Sequence, residues 1–360
     1  VALSKVVIAE DEIAAVVEVL RSGNLREGPQ CRAFETEFAA MTGSRHALTA
    51  NSGTSALQMA YQAVLESGDE ILVPSFTFFA TASMALAVGA VPVFCDVDPD
   101  TFTIDVADAE RRITARTRAI APVHLFGNPA AVAAVQDLAK RHGLRVLWDA
   151  AQAHCTTYEG HDIGSLGDAV CYSFYPSKNM TTGEGGMVCT NDDELAVRMK
   201  LLRSQGQKEK YVHSALGFNF RMTDIQAAIG RGQLRKLEAW TRRRRQHAAY
   251  LRDRLAHASA VRAQTEQPDG VHSYHQFSIV LDSKIDREQV MTHLKREGVE
   301  CAVHYPQPLH RQPIFAAGNA SLSLPVSEDL SRHILSIPVQ PHLSDGDVEY
   351  VADILLEAVS

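Results

Sequence analysis

The stretch HALTANSGTSALQMAYQAVL, residues 46–65, joins a short apolar run to a helical pattern through a Ser-Gly-Thr turn. The same order, a run rich in valine and isoleucine and then a helical pattern, continues to about residue 150. It recurs as EILVPS then FFATASMALAVG, VPVFCDV then VADAERRI, RAIAPVHLFG then AAVAAVQDLAKRHG, and ends with RVLWDA. This alternation is typical of βαβ units, whose helices cover both faces of a mainly parallel sheet. The sequence therefore predicts an α/β fold.

The rest of the chain predicts flanking helices and a second domain. One amphipathic helix ends at Ser22-Gly23, another covers about 30–42, and a long one starts near Thr223. The runs DAVCYSF and GMVCT have no long helix between them, so we expect neighbouring strands joined by a loop that carries Lys178. After the sequence EQPDG the pattern changes. We therefore expect a large α/β domain over residues 1–250 and a smaller α+β domain over residues 251–360.

Composition excludes several classes of protein. The 360 residues carry a formal net charge of −8, which argues against generic nucleic-acid binding. The six cysteines are far apart and lack metal-ligand spacing, so we expect no metal site and a reducing cytoplasm. We expect neither a signal peptide nor a membrane span. The basic run Arg242–Arg245 is interpreted as mostly a solvated helix face, with an anion-binding patch as the alternative.

A first candidate feature for chemistry is NSGTSAL, residues 51–57, where a strand meets a helix start. Backbone N–H groups at such a turn, together with the helix dipole, form an anion site. Gly53 would allow a phosphate to approach the backbone closely. The alternative is a plain helix cap by Ser52 or Thr54.

A second feature is VLWDAAQAH, residues 146–154, where an apolar strand ends at Asp149. A carboxylate at the carboxyl end of a parallel strand points into the crevice where α/β sheets bind ligands. Facing a heteroaromatic nitrogen, it would keep that nitrogen protonated. A helix cap is the alternative for Asp149. Taken singly, Gln152 and His154 are better explained as structural hydrogen-bonding residues.

The third feature is SFYPSKNMTTGEGGMV, residues 173–188, in which Lys178 stands between a strand-like run and a cluster of glycines. Alone, Lys178 is best explained as a surface lysine. Near a cofactor aldehyde, a lysine can form a Schiff base and then act as acid and base. A phosphate cradle, an acid at a strand end and a lysine in one crevice are together what a pyridoxal-phosphate enzyme requires.

The chain also resembles the DegT-type sugar-nucleotide aminotransferases, which are fold type I pyridoxal-phosphate enzymes. Ordered fragments over almost the full length carry the resemblance: SGNLREGP, ANSGTSAL, VPSFTFFAT, VPVFCDVDPDTFTID, PVHLFGNPA, WDAAQAH, SFYPSKNMTTGEGGMV, GFNFRMTDIQAAIG and VHYPQPLHRQPIF. The resemblance implies fold type I, with a large mainly parallel α/β sheet domain and a smaller α+β C-terminal domain. It also implies pyridoxal 5'-phosphate as the cofactor.

The resemblance assigns roles to individual residues. It implies that Lys178 binds the cofactor covalently and that Asp149 pairs with the pyridinium nitrogen. Gln152 would contact the phenolic oxygen, and Phe78 would stack on the ring. The residues implied to contact the phosphate are Gly53, Thr54, Ser173 and, from the neighbouring subunit of a homodimer, Asn219.

One position departs from the family pattern. After AQAH the family usually has glycine, whereas this chain has Cys155, which suggests a small local shift of a close-packed backbone. In this family, histidine at the position of Lys178 accompanies a dehydratase, so the lysine here favours transamination.

The implied reaction moves an amino group from glutamate or glutamine to a nucleotide-linked keto-deoxysugar, with the ketone at C3 or C4. A keto-cyclitol or another cyclic ketone is the alternative acceptor. A non-catalytic regulator or scaffold that holds the cofactor is a third hypothesis. His304, Tyr305 and His310 are candidate substrate contacts, with a packed structural loop as the alternative.

Overall fold

The computed structural model describes all 360 residues, which form twelve α-helices and fifteen strands. The helices are α1 (Glu10–Ser22), α2 (Pro29–Thr42), α3 (Gly53–Val64), α4 (Ala80–Ala87), α5 (Val106–Arg111), α6 (Val132–His142), α7 (Asp193–Arg203), α8 (Asp224–Leu255), α9 (Arg287–Arg296), α10 (Pro313–Ala316), α11 (Pro325–His333) and α12 (Asp345–Val359). The strands are β1 (His46–Ala50), β2 (Glu70–Pro74), β3 (Val91–Cys95), β4 (Thr117–Ile120), β5 (Arg145–Asp149), β6 (Thr157–Tyr158), β7 (His161–Asp162), β8 (Ala169–Ser173), β9 (Gly186–Thr190), β10 (Gln207–Glu209), β11 (Val212–His213), β12 (Val261–Ala263), β13 (Gly270–Val271), β14 (Phe277–Leu281) and β15 (Ile334–Ile337).

Seven strands form the main sheet, in the order β1-β9-β8-β5-β4-β2-β3. The pairs β2 with β3, β2 with β4, β4 with β5 and β5 with β8 are parallel. Only β9 runs in the opposite direction, since it pairs antiparallel with both β1 and β8. The predicted mainly parallel α/β sheet is confirmed, and so is the pairing of the two strands around the Lys178 loop.

The two faces of the main sheet bury separate cores, because side chains alternate along each strand. On one face, Leu147 packs with the apolar side of α3. On the other, Trp148 packs with Phe34 and Phe38 of α2 and with Leu237 of α8. Helices therefore cover both faces, and the sheet interior leaves only the strand ends open to a ligand.

Local sequence explains where the flanking helices begin and end. α1 ends at Gly23, whose φ of 71° is the left-handed conformation that glycine adopts without steric cost. α8 begins after Thr223, whose side chain accepts the Gln226 N–H while the Gln226 side chain accepts the Thr223 N–H. No helix in the chain is both long enough and apolar enough to span a bilayer.

The C-terminal part contains a three-stranded antiparallel sheet, β12-β14-β15, packed with α9, α12 and the end of α8. Segments of the chain also cross between the two parts. Val1 packs with this second core, whereas Leu309, Phe315 and Leu324 pack into the core of the main sheet. The division of the chain at residue 250 stays a prediction.

The basic run of α8 is not the solvated face that the sequence suggested. Arg242 is exposed and pairs with Glu238, and Arg243 pairs with Asp345. Arg244 is buried, however, and its Nη1 donates to the carbonyls of Tyr274 and His275. The interpretation is wrong for Arg244 because its position on α8 turns it towards the interior, where backbone carbonyls replace water.

The adjacent Arg245 is also turned inward in part. Its guanidinium donates to the carbonyls of His272 and Cys155. Two of the four arginines, Arg244 and Arg245, therefore connect α8 to neighbouring loops by hydrogen bonds to backbone carbonyls.

Candidate active site

The candidate residues meet where parallel strands end. Asp149 is the last residue of β5 and Ser173 the last of β8, and these two strands are direct neighbours. The loop that follows β8 carries Lys178 and returns as β9. The helix that follows β1 starts at Gly53, on the same edge. Three features that are far apart in sequence thus share one end of the sheet.

The start of α3 forms an accessible anion cradle. Ser52 is the helix cap, and its side chain exchanges hydrogen bonds with Ser55, as one of the alternatives for this turn predicted. The N–H groups of Gly53 and Thr54 have no partner within the chain. Unpaired N–H groups at a helix N-terminus attract anions. The cap and the anion cradle therefore coexist, because different residues supply them.

Asp149 lies at the bottom of this site and is 4% exposed. Its Oδ1 accepts the Ala151 N–H at 3.0 Å, and its Oδ2 accepts the Thr81 hydroxyl at 2.7 Å. Burial raises the pKa of Asp149, while these two hydrogen bonds and the charge of Lys178 oppose the rise. The carboxyl group is thus held in one orientation near a cation.

Lys178 is partly buried, and its Nζ has no hydrogen-bond or ion-pair partner. Removal from water lowers the pKa of Lys178 to about 8, against the opposing charge of Asp149. Its backbone is held by a bond from its N–H to the Tyr175 carbonyl at 2.8 Å. A lysine that loses its proton near neutral pH and has a free amine is suited to nucleophilic and acid–base chemistry.

Gln152 links the site to the C-terminal part of the chain. Its Oε1 accepts the Phe126 N–H at 2.7 Å, and its Nε2 donates to the Tyr305 hydroxyl at 2.9 Å. The Tyr305 ring lies 6.1 Å from the Phe78 ring, centroid to centroid. Phe78 is exposed, so its face is available to a planar ligand. Tyr305 therefore lies at the candidate cofactor site, beside Gln152.

The two histidines named with Tyr305 lie in different surroundings. The His304 ring contacts Gln276 and Ser336, and burial together with the charge of Lys178 lowers its pKa to about 4. His310 has no exposed surface, and its ring nitrogens contact the Ser75 hydroxyl at 2.7 Å and Glu328 at 3.0 Å. The placement of His310 favours the structural alternative.

Asn219 and His154 are the remaining candidates. The Asn219 side chain is exposed and unbonded, whereas its carbonyl accepts the Asn51 side chain. His154 is fully buried against Tyr172, and neither ring nitrogen has a partner within the chain. The expected structural hydrogen bonds of His154 are absent, whereas those expected of Gln152 are present.

The residue after His154, where the sequence departs from the family pattern, has a backbone conformation typical of glycine. Cys155 has a φ of 57°, in the left-handed region that favours glycine. Its carbonyl accepts Arg245, which fixes this backbone from α8. Cys155 therefore has a backbone conformation that glycine adopts more easily, and the small local shift expected from the sequence stays a prediction.

The sequence reasoning missed one contact of the site. Thr81 lies three residues beyond Phe78 in the fragment VPSFTFFAT, but nothing in that pattern distinguishes it from other helix residues. Its bond to Asp149 joins residues 68 positions apart. Only the packing of α4 against the end of β5 reveals it.

Comparison with known proteins places the chain in one aminotransferase family. A sequence model of the DegT/DnrJ/EryC1/StrS aminotransferase family matches residues 6–356. The chain is 41% identical over 345 residues to the pleiotropic regulatory protein of Geobacillus stearothermophilus, covering 94% of this chain and 92% of that protein. It is 40% identical over 348 residues to dTDP-3-amino-3,4,6-trideoxy-alpha-D-glucose transaminase of Streptomyces venezuelae, covering 96% and 91%.

The fold of the chain is also similar to solved aminotransferase structures. The crystal structure of S. venezuelae DesV in complex with a ketimine intermediate superimposes with a TM-score of 0.94 at 39% identity, covering 97% of this chain and 94% of that one. The PLP form of Spr1654 from Streptococcus pneumoniae has a TM-score of 0.92 at 26% identity, covering 100% and 98%.

Proposed function

Because the chain belongs to the DegT/DnrJ/EryC1/StrS aminotransferase family, we propose that Lys178, Asp149 and Gln152 carry its amino-transfer chemistry. The protein is a pyridoxal-phosphate-dependent aminotransferase of fold type I, which confirms the fold, the cofactor and the enzyme class predicted from the sequence. It transfers an amino group to a nucleotide-linked keto sugar, an activity of the kind named for the S. venezuelae transaminase. The observation that carries the proposal is the unpartnered Lys178 amine near Asp149.

The residues at the strand ends fit pyridoxal phosphate. The free N–H groups of Gly53 and Thr54 and the hydroxyl of Ser173 suit a phosphate dianion. The Asp149 carboxylate suits a protonated ring nitrogen. Gln152 Nε2 has a second hydrogen for the phenolic oxygen, since its first goes to Tyr305.

When bound, pyridoxal phosphate supplies an aldehyde that carries the amino group and a protonated ring that absorbs carbanion charge. Asp149 would keep the ring nitrogen protonated, because a buried carboxylate favours a cation beside it. The exposed ring of Phe78 would pack against one face of the bound cofactor ring.

Lys178 is the acid and base of the proposed reaction. Its Nζ would take a proton from one of the two carbons bonded to the transferred nitrogen and deliver it to the other, and its pKa of about 8 lies close to neutral pH. Proton transfer is most efficient when the pKa of the catalytic group is near the working pH. No other amine lies close to the charge of Asp149, so Lys178 is the residue we assign to this step.

We further propose that the protein works as a homodimer with shared sites. The side chain of Asn219 is exposed and unbonded, so it is free to reach the phosphate site of a neighbouring subunit. Tyr211 and Leu216, on the same segment, are 81% and 77% exposed, so they offer surface that a partner subunit can cover.

The amino donor, the compartment and the sugar contacts also belong to the proposal. Glutamate or glutamine is the donor that the family resemblance implies. All six cysteines are free thiols, which supports a reducing cytoplasm. Among the candidate sugar contacts, Tyr305 and His304 lie near the charges of Asp149 and Lys178, whereas His310 is held by Ser75 and Glu328.

The test is amino transfer from glutamate to nucleotide-linked keto sugars by the wild type and by Lys178→Ala. We expect turnover by the wild type and a loss of about 10²–10⁴-fold in Lys178→Ala. Lys284→Ala is the matched control, because Lys284 is exposed and remote, and it should retain full activity.

Three outcomes would contradict the proposal. Full turnover by Lys178→Ala would remove Lys178 from the mechanism. Activity on a free keto-cyclitol alone would overturn the assignment of the acceptor. Cofactor binding with no turnover of any ketone would favour a regulatory role, which the name of the Geobacillus relative suggests for that protein.

A further inference from the structure

The two oxygens of the Asp149 carboxyl group have different kinds of partner. Oδ1 accepts a backbone N–H, that of Ala151, two residues along the chain. Oδ2 accepts a side-chain hydroxyl, that of Thr81, at 2.7 Å. Because Ala151 is only two residues from Asp149, the local turn by itself brings the Ala151 N–H to the carboxylate. A hydroxyl from another helix has to be placed there by the fold, which makes Thr81 the contact to explain.

Thr81 is itself held in place. It lies in the first turn of α4 with no exposed surface, and its carbonyl accepts the hydroxyl of the buried Tyr61 at 3.0 Å. Threonine in a helix often donates to the carbonyl four residues before it. Here the hydroxyl of Thr81 instead has Asp149 as its only partner, and its single hydrogen is committed to the carboxyl group.

We propose that Thr81 is a positioning residue that orients the Asp149 carboxylate towards the ring nitrogen of the cofactor. With Oδ2 fixed by Thr81 and Oδ1 by Ala151, the carboxyl plane cannot rotate without breaking one hydrogen bond. Each oxygen keeps a further lone pair for the ring N–H. This inference rests on the proposed function, because it takes Asp149 as the partner of that nitrogen.

The electrostatics of the pocket make this hydrogen bond important. Besides Lys178, three titratable groups face Asp149, namely Tyr61, Cys171 and Tyr305. Burial raises the pKa of each of the three, so all are neutral at neutral pH and none repels the carboxylate. Burial also raises the pKa of Asp149, and the Thr81 hydroxyl is one of the few groups that favour its ionised form. Without it, the proton shared with the ring nitrogen moves towards the carboxyl group.

The experiment compares Thr81→Val, which keeps the shape and removes the hydroxyl, with Thr81→Ser, which keeps the hydroxyl. Thr190→Val is the matched control. Thr190 is also buried and donates its hydroxyl, at 2.7 Å to the Asp168 carbonyl, but it lies at the opposite end of the sheet. Two properties are measured on each protein: the dissociation constant of pyridoxal phosphate, and the 15N chemical shift of bound cofactor labelled at the ring nitrogen.

We expect Thr81→Val to raise the dissociation constant of pyridoxal phosphate by up to about tenfold, because the hydrogen bond to Asp149 also exists without the cofactor and only part of its worth contributes to binding. The 15N shift should move towards the value of an unprotonated ring. Thr81→Ser and Thr190→Val should keep the wild-type shift, and Thr81→Ser should bind the cofactor within about threefold of the wild type. A wild-type 15N shift in Thr81→Val, or a changed shift in Thr190→Val, would overturn the role of Thr81.

Asp149→Asn separates this inference from the proposed function. If Asp149→Asn loses the protonated ring signal while Thr81→Val keeps it, Asp149 retains its role and the inference about Thr81 is wrong. If Asp149→Asn also keeps the signal, the assignment of Asp149 itself fails, and the role of Thr81 fails with it.

Discussion

Gly53 at the start of α3 lies directly against Ser173 at the end of β8. A Cβ atom added at Gly53 would lie 2.5 Å from the Cβ of Ser173 and 2.8 Å from its hydroxyl oxygen. Carbon atoms that are not bonded to each other do not approach this closely. The anion cradle at the start of α3 and Ser173 at the end of β8 can therefore lie this close together only because residue 53 has no side chain.

Gly53→Ala should disrupt this contact. The added methyl group has to displace Ser173 or the first turn of α3, at a cost of about 1–3 kcal/mol. We expect weaker binding of pyridoxal phosphate and a lower free energy of unfolding, measured by cofactor titration and urea unfolding. Gly346→Ala is the control, because its nearest neighbour atom would lie 3.9 Å away. Unchanged cofactor binding in Gly53→Ala would show that the contact is not part of the cradle.

The rate of covalent cofactor uptake should depend on pH through Lys178. Only the neutral amine attacks an aldehyde, and the pKa of Lys178 is lowered to about 8 by burial. The rate of uptake by apoprotein should therefore rise with pH and level off above a midpoint near 8. Stopped-flow absorbance from pH 6 to about 11.5 measures it. A midpoint near 10.5, the ordinary value for lysine, would contradict the prediction.

The same titration should affect the stability of the apoprotein. Because the folded pKa of Lys178 is lowered, the folded state binds fewer protons than the unfolded state between about pH 8 and 10.5, and stability rises with pH in that window. Lys178→Met has no such group. The stability of the wild type relative to Lys178→Met should therefore increase across the window, as measured by urea unfolding of both apoproteins.

Replacing Cys155 with glycine should leave the protein more stable than replacing it with alanine. Its φ of 57° costs a residue with a Cβ about 1 kcal/mol, and glycine avoids that cost. Cys155→Gly should therefore be more stable than Cys155→Ala by about 1 kcal/mol in urea unfolding. At Cys301, where φ is not positive, the order should reverse. Equal stabilities of the two Cys155 variants would show that the backbone relaxes.

His310→Ala should lower stability and leave sugar binding unchanged. It leaves the buried Ser75 hydroxyl without its ring partner and removes the Glu328 contact, which costs about 2–3 kcal/mol. His161→Ala, at an exposed position, should stay within about 0.5 kcal/mol of the wild type. A rise in KM for the keto sugar at unchanged stability would instead make His310 a substrate contact.

Arg244→Lys should destabilise the protein although it conserves charge. A lysine cannot reproduce the guanidinium that donates to the carbonyls of Tyr274 and His275, and it leaves a buried carbonyl unpaired at a cost of about 1–3 kcal/mol. Arg242→Lys should change little, because Arg242 is exposed. Equal unfolding midpoints of the two variants would contradict the interior role of Arg244.

Much of the candidate site could be predicted from local sequence. The strand that ends at Asp149, the helix start at Gly53 and the strand pair around Lys178 each have a local pattern, and parallel strands bring their carboxyl ends to one edge. The bond from Thr81 to Asp149 has no such pattern. It depends on where α4 packs, which no window of sequence around either residue contains.

The sequence by itself determined the order of strands and helices, the mainly parallel sheet and the residue types of the site, because periodicity, caps and strand ends are local properties. Only the tertiary structure decided that β9 lies between β1 and β8, that Arg244 faces the interior and that Cys155 adopts a glycine-like backbone. These outcomes depend on contacts between segments that are distant in sequence. In a close-packed interior, those contacts decide which partner or backbone conformation a buried residue has.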